Sequence, residues 1–126
     1  MKKTTEFNTQ NAPAAIGPYS QAIIIGDKIM TSGQIALDPA TGAMVGDNII
    51  HQTEQVLKNL SAILEDAGSS LENAIKVTCY LTNMADFPKF NVIYSQYIKG
   101  AAARTCVEVS ALPKGALVEI DVIAHL

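Results

Sequence analysis

Arg104-Thr-Cys-Val-Glu-Val-Ser-Ala-Leu-Pro-Lys-Gly-Ala-Leu-Val-Glu-Ile-Asp121 is the stretch from which the fold of this chain is read. Two runs rich in Val and Ile alternate with period two on either side of a Leu-Pro-Lys-Gly corner, whose Pro and Gly strands tolerate poorly. In the first run Thr105, Val107 and Val109 share one face, and Arg104, Cys106 and Glu108 share the other. In the second run Val118, Ile120 and Val122 stand opposite Glu119 and Asp121. This pattern gathers an arginine, a thiol and several carboxylates on the side of one sheet away from its apolar face. Two readings stay open. The face is simply solvated, as one side of an antiparallel sheet often is, or it is a polar cleft with a carboxylate-binding arginine and a carboxylate that handles a water.

Upstream, the segment from about Asp86 to Ile98 is dense in Phe87, Phe90, Val92, Ile93, Tyr94 and Tyr97, which predicts a buried helix. Pro88 falls in its first turn, where a missing N–H does no harm. Ala74 to Thr82 alternates as a strand, with Ile75, Val77, Cys79 and Leu81 on one face and Lys76, Thr78 and Tyr80 on the other. Before it, Val56, Leu57, Leu60, Ile63, Leu64 and Ala67 recur at helical spacing from about Asn48, and Gly68 stands where a helix ends. Tyr19 to Ile25 and Lys28 to Ile35 read as a hairpin around Gly26-Asp27, with Gly first, as a type II′ turn prefers. Ser32-Gly33-Gln34 interrupts its second arm, so Gly33 is either a bulge or a point of close approach to the backbone. Asn11 to Pro18, with two prolines, is a stiff irregular lead into the hairpin.

The order hairpin, helix, strand, helix and two strands puts the chain in the α+β or mixed α/β class. Two strand-helix-strand units imply parallel neighbours joined by right-handed crossovers. Two helices cover one sheet face. The other carries Lys76, Thr78, Tyr80, Arg104, Cys106, Glu108, Glu119 and Asp121, and a second subunit is the economical cover.

The 126 residues fit one domain, 1–126, able to bury a sizeable core without staples. With 17% charged residues and a net charge of -3, the chain lacks the basic surface that nonspecific nucleic-acid binding needs. The start, Met1-Lys-Lys-Thr-Thr-Glu-Phe-Asn, breaks with Glu6 and Asn8 where a signal peptide needs an apolar run. No apolar run is long enough to span a bilayer. Cys79 and Cys106 lie on separate strands with no CxxC or metal-ligand spacing, and reduced thiols in a cytoplasmic protein are the default.

There is no GxGxxG, P-loop, HExxH or GxSxG. His51 and His125 read as capping or surface residues rather than bases. Cys106 reads as a small hydrophobe before it reads as a nucleophile. Arg104 and Glu119 carry more chemistry. A guanidinium fork matches the carboxylate of a small 2-oxo or 2-imino acid, and a partly desolvated glutamate can polarise a water. A structural Arg-Glu ion pair across a subunit contact accounts for the same residues.

Ala12-Pro-Ala-Ala-Ile-Gly-Pro-Tyr-Ser-Gln21, Thr31-Ser-Gly-Gln-Ile35, Asn91, Arg104-Thr-Cys-Val-Glu-Val109, Leu112-Pro-Lys114 and Val118-Glu-Ile-Asp121 together resemble the RidA family, also called YjgF and formerly endoribonuclease L-PSP or translation inhibitor. The resemblance implies a chorismate-mutase-like domain, a six-stranded mixed sheet with two helices on one face, assembled as a homotrimer with three clefts between subunits. It implies hydrolysis of 2-iminopropanoate and 2-iminobutanoate to 2-oxo acids and ammonia with no metal or organic cofactor. Carried over, Arg104 clamps the substrate carboxylate and Glu119 positions the water. Tyr19, Gly33, Asn91 and Cys106 line the cleft, Cys106 largely through its backbone. The older label implies a ribonuclease instead, against the acidic balance, and a ligand-binding module without turnover would use the same cleft. Where the family often has Pro-Ala-Arg, this chain has Ala102-Ala103-Arg104 on a shorter connection from Asn91, which predicts a less preorganised guanidinium. Ala36 replaces a common proline, a minor change.

Overall fold

The computed structural model describes residues 3–126, and Met1 and Lys2 of the start discussed above lie outside them. Six strands and two helices follow in the order β1 (Thr4–Phe7), β2 (Ala22–Ile25), β3 (Lys28–Thr31), α1 (Ile49–Asp66), β4 (Ala74–Leu81), α2 (Phe87–Tyr97), β5 (Ala103–Glu108) and β6 (Val118–His125). They form one mixed sheet in the order β1-β2-β3-β6-β4-β5. Both helices pack on one side of it, an α+β architecture. Among the described residues no helix is long and apolar enough to cross a membrane.

The last strand takes the centre. Val118, Ile120, Val122 and Ala124 are all fully buried at every second position of β6, so this strand gains most from neighbours on both edges. It pairs antiparallel with β3 on one side and β4 on the other. That corrects one expectation. The β4-α2-β5 unit does make parallel neighbours, with Cys79 opposite Cys106, but the crossover through α1 carries the chain past β6, and β3 and β4 never touch as a pair.

Helix α1 starts where Asn48 accepts a hydrogen bond from the His51 amide at 2.9 Å, satisfying an N–H that the helix cannot. Its buried stripe, Val56, Leu57, Leu60, Ile63 and Leu64, lies against the sheet. After it, Gly68 adopts φ 90°, the left-handed geometry that closes a helix. In α2, Pro88 sits in the first turn and Phe90 and Ile93 point into the core. Gly26 turns the β2-β3 hairpin at φ 59°.

The hairpin strands are shorter than the alternation implied. β3 ends at Thr31, and the chain leaves the sheet through Ser32 and Gly33 before touching β6 again at a single bridge, Gln34 to Ile120. The edge strand β1 was not visible in the periodicity, because Thr4, Thr5 and Glu6 are exposed and carry no apolar alternation.

Candidate functional site

Two clusters hold the residues singled out from the sequence. The first surrounds a cavity of about 300 Å³ bordered by Tyr19, Gly33 and Glu119, together with Pro13, Ile16, Ile35 and Lys114. Its geometry starts at the gap in β3. The Gln34 amide donates to Ile120 O at 2.9 Å and the Ile120 amide returns a bond to Gln34 O at 3.1 Å. That two-way bridge brings the preceding residue, Gly33, beside Glu119. A Cβ built on Gly33 would stand 2.8 Å from Glu119 Cδ, closer than any carbon pair tolerates. Gly33 is therefore the point of close approach, and the carboxyl occupies the space a side chain would take.

Burial holds the Glu119 carboxyl above its usual range, and the negative charge of Asp121 adds to the effect. Asp121 is itself raised by burial, opposed by a hydrogen bond from Tyr80 and by the charge of Lys76. The Tyr80 hydroxyl lies 3.4 Å from Asp121 Oδ2. A carboxyl so placed holds a proton more readily than a solvated one, which suits it to exchange protons with a water.

The segment before β2 forms one wall. Gln21 is almost fully buried; its amide nitrogen donates to Pro13 O at 2.7 Å and Thr9 O at 3.0 Å, while its oxygen accepts from the Thr9 amide at 2.7 Å. Gly17, at φ 125°, then turns the chain so that Tyr19, half exposed, reaches the rim. On the far side the Leu-Pro-Lys-Gly corner is a single tight turn in which Lys114 takes φ 56° and Gly115 φ 69°. Tyr19, Gly33 and Glu119 were expected at the site. Pro13, Ile16 and Lys114 were not, although the stiff Asn11–Pro18 lead and the turn residues marked both segments.

The second cluster centres on Arg104. Its Nη1 donates to Asn91 Oδ1 at 2.7 Å. The guanidinium lies 4.7 Å from the Tyr94 ring centre and 5.4 Å from that of Phe87, both within cation–π range. Three residues of α2 thus hold the side chain that the missing proline was expected to loosen. Cys106, two residues on, is partly buried; burial raises its thiol and the Arg104 charge pulls it back.

The two clusters are on opposite faces of the sheet, which corrects the expectation that Arg104, Cys106 and Glu108 share a face with Glu119 and Asp121. In the parallel register Arg104 lies level with Val77, Cys106 with Cys79 and Glu108 with Leu81. All three partners face the helices. Glu119 and Asp121 pair with Tyr80 and Thr78 on the open side. The cause is the edge position of β5: beyond α2 the helix-side face is no longer covered, so polar residues are tolerated there and alternation alone cannot tell the faces apart. Among the described residues no three of His, Cys, Asp and Glu come together as a metal site.

Comparison with known proteins agrees with this architecture. Residues 9–126 match the family model described as endoribonuclease L-PSP. A RutC family protein of Pyrococcus horikoshii is 53% identical over 118 residues, 93% of this chain and 94% of that protein. A Mus musculus protein named 2-iminobutanoate/2-iminopropanoate deaminase is 46% identical over 119 residues, 94% of this chain and 88% of its own length. The crystal structure of E. coli TdcF with bound serine superposes with a TM-score of 0.92 at 37% identity, covering 97% of this chain and 98% of that one. With a family model matching nearly its whole length and relatives this similar, the chain belongs to the endoribonuclease L-PSP family, the RidA and YjgF proteins whose signature its sequence carries.

Proposed function

We propose that the protein hydrolyses small 2-imino acids, 2-iminopropanoate and 2-iminobutanoate, to 2-oxo acids and ammonia, at clefts between the subunits of a cytoplasmic homotrimer. The observation that carries this reading is the split site. Glu119 borders a cavity on the open sheet face, while Arg104 is exposed on the edge strand β5 and faces the helix side. Each half lacks what the other has, and a neighbouring copy laid on the open face supplies an Arg104 to the Glu119 cavity. The Mus musculus relative's name supports the reaction class.

In this mechanism Arg104 takes the substrate carboxylate in its fork, with Asn91, Tyr94 and Phe87 keeping the guanidinium in place. A water at Glu119 adds its oxygen to the imine carbon, and the carboxylate takes the proton released. That proton passes to the nitrogen to give a carbinolamine. Glu119 then carries the proton of the new hydroxyl to the same nitrogen as the carbon–nitrogen bond breaks, so ammonia leaves and the carbonyl of the 2-oxo acid forms. Tyr19 and Cys106 close the cleft around the reacting carbon, and the bare Gly33 leaves room for the Glu119 carboxyl.

The test couples a pyridoxal-phosphate serine or threonine dehydratase, which releases the imine, to the purified protein and follows 2-oxo acid. The expected result is faster release than in buffer, lost in Arg104→Ala. Release at the buffer rate overturns the proposal, and 2-oxo acid binding without acceleration points to a ligand-binding module instead.

A further inference from the structure

Cys79 and Cys106 are direct neighbours across β4 and β5, Cα partners in the parallel register. Both side chains lie on the helix side of the sheet, Cys79 wholly inside the core and Cys106 packed against its edge. Adjacent strands run about 4.8 Å apart, inside the roughly 4.4–6.8 Å over which a disulfide joins two Cα atoms. A disulfide also asks the Cβ atoms to close to about 3.8 Å. β5 is free to make that adjustment, because it is an edge strand hydrogen-bonded on one side to β4 alone.

We propose that Cys79 and Cys106 form an intramolecular modification site, a thiol pair that a peroxide converts to a disulfide between β4 and β5. Cys106 is the partly exposed member and meets the oxidant first. Its sulfur attacks one peroxide oxygen, becoming a sulfenic acid as the other oxygen leaves as water. The Cys79 sulfur then displaces hydroxide from the Cys106 sulfur, the proton of Cys79 completing a second water. Two thiols are oxidised, one peroxide is reduced, and no other reactant enters. Burial opposes the thiolate at both residues and pushes Cys79 up to about 12, so the pair oxidises slowly at neutral pH and faster as pH rises.

The bond has a consequence for the deaminase site, and this part rests on the function proposed above. Drawing β5 toward β4 moves Arg104, two residues from Cys106 on the same face, and a displacement of about 1 Å at a carboxylate anchor costs on the order of a hundredfold in rate.

The experiment treats the folded full chain with hydrogen peroxide at pH 7 and pH 9, then alkylates the unfolded product and measures intact mass and a non-reducing peptide map. Support is a chain lighter by two hydrogens, unalkylated at either cysteine, with the Cys79 and Cys106 peptides joined, formed faster at pH 9 and reversed by dithiothreitol. Oxygen added to Cys106 while Cys79 remains alkylatable overturns the proposal, as do a disulfide between chains and two unreacted thiols. In the activity arm, wild type loses imine hydrolysis reversibly, while Cys79→Ser keeps its basal rate and is not reversibly inactivated. A disulfide that forms in a chain with no hydrolysis at all leaves the thiol pair standing and removes the deaminase reading alone.

Discussion

Glu119 lays its carboxyl across Gly33, so close that a Cβ built on the glycine would meet Glu119 Cδ at 2.8 Å. The pairing is set by the Gln34–Ile120 bridge next to it, and any side chain at position 33 has to displace the acid. Gly33→Ala is expected to leave the fold intact by circular dichroism while lowering kcat for imine hydrolysis by about a hundredfold, the cost of moving a reacting group by about 1 Å. An unchanged kcat would separate Glu119 from the chemistry.

Arg104 is positioned by α2, and its replacement tests whether geometry or charge matters. Arg104→Lys keeps the charge but loses the fork, the bond to Asn91 and the stacking on Tyr94 and Phe87. The expected result is a loss of about 2–3 kcal/mol in transition-state binding, near a hundredfold in kcat/KM. Asn91→Ala, which leaves the arginine in place but untethered, is expected to raise KM more than it lowers kcat. Steady-state kinetics on both variants decide this.

The acid limb of activity should follow Glu119. As the water-activating base it works when deprotonated, and burial with the Asp121 charge raises its pKa. Hydrolysis therefore falls as pH drops through a value above that of an ordinary glutamate. Asp121→Asn removes one of the two raising causes and is expected to shift the limb to lower pH. The same shift acts on stability with the opposite benefit: a carboxyl raised in the folded state favours folding below its unfolded pKa, and that contribution is lost as pH rises through the folded value. At pH 7 Glu119→Gln is expected to be inactive yet melt no lower than wild type.

Because Arg104 and Glu119 lie on opposite faces of one chain, two inactive variants should rescue each other. Coexpressed Arg104→Ala and Glu119→Gln subunits, mixed at random, are expected to recover roughly a quarter of wild-type activity, since each cleft draws one residue from each of two copies. Neither variant alone recovers any. No rescue in a verified mixed assembly would place the whole site in one chain.

Phe90 is the largest fully buried side chain, and its ring centre lies 5.7 Å from that of Tyr94. Phe90→Ala is expected to cost about 3–5 kcal/mol in urea unfolding. Tyr94 backs the guanidinium, so the variant is also expected to raise KM in the fraction that stays folded.

Much of the fold was legible in the residues because it rests on local rules. The stripe from Val56 to Leu64, its Asn48 start and Gly68 stop, the Pro88 helix and the alternating runs of β4 and β6 each carry their own period. β1 was not legible, since a short exposed edge strand has no apolar alternation to read. The site divides similarly. Arg104, Glu119 and Gly33 stood out by residue type, Gly33 with two readings open, while Lys114 and Gln21 entered only through the chain path around the cavity.

The sequence by itself determined the two helices and the places of strands β2 to β6, which positions alternate, and the motifs that mark the family, because each depends on residues a few places apart. Tertiary structure alone decided that β6 lies between β3 and β4, that Cys79 faces Cys106, and that Arg104 and Glu119 point to opposite sides of the sheet. Those relations follow from strand order and register, set by which buried faces pack against the helices, and period-two alternation is blind to which of its two faces that will be.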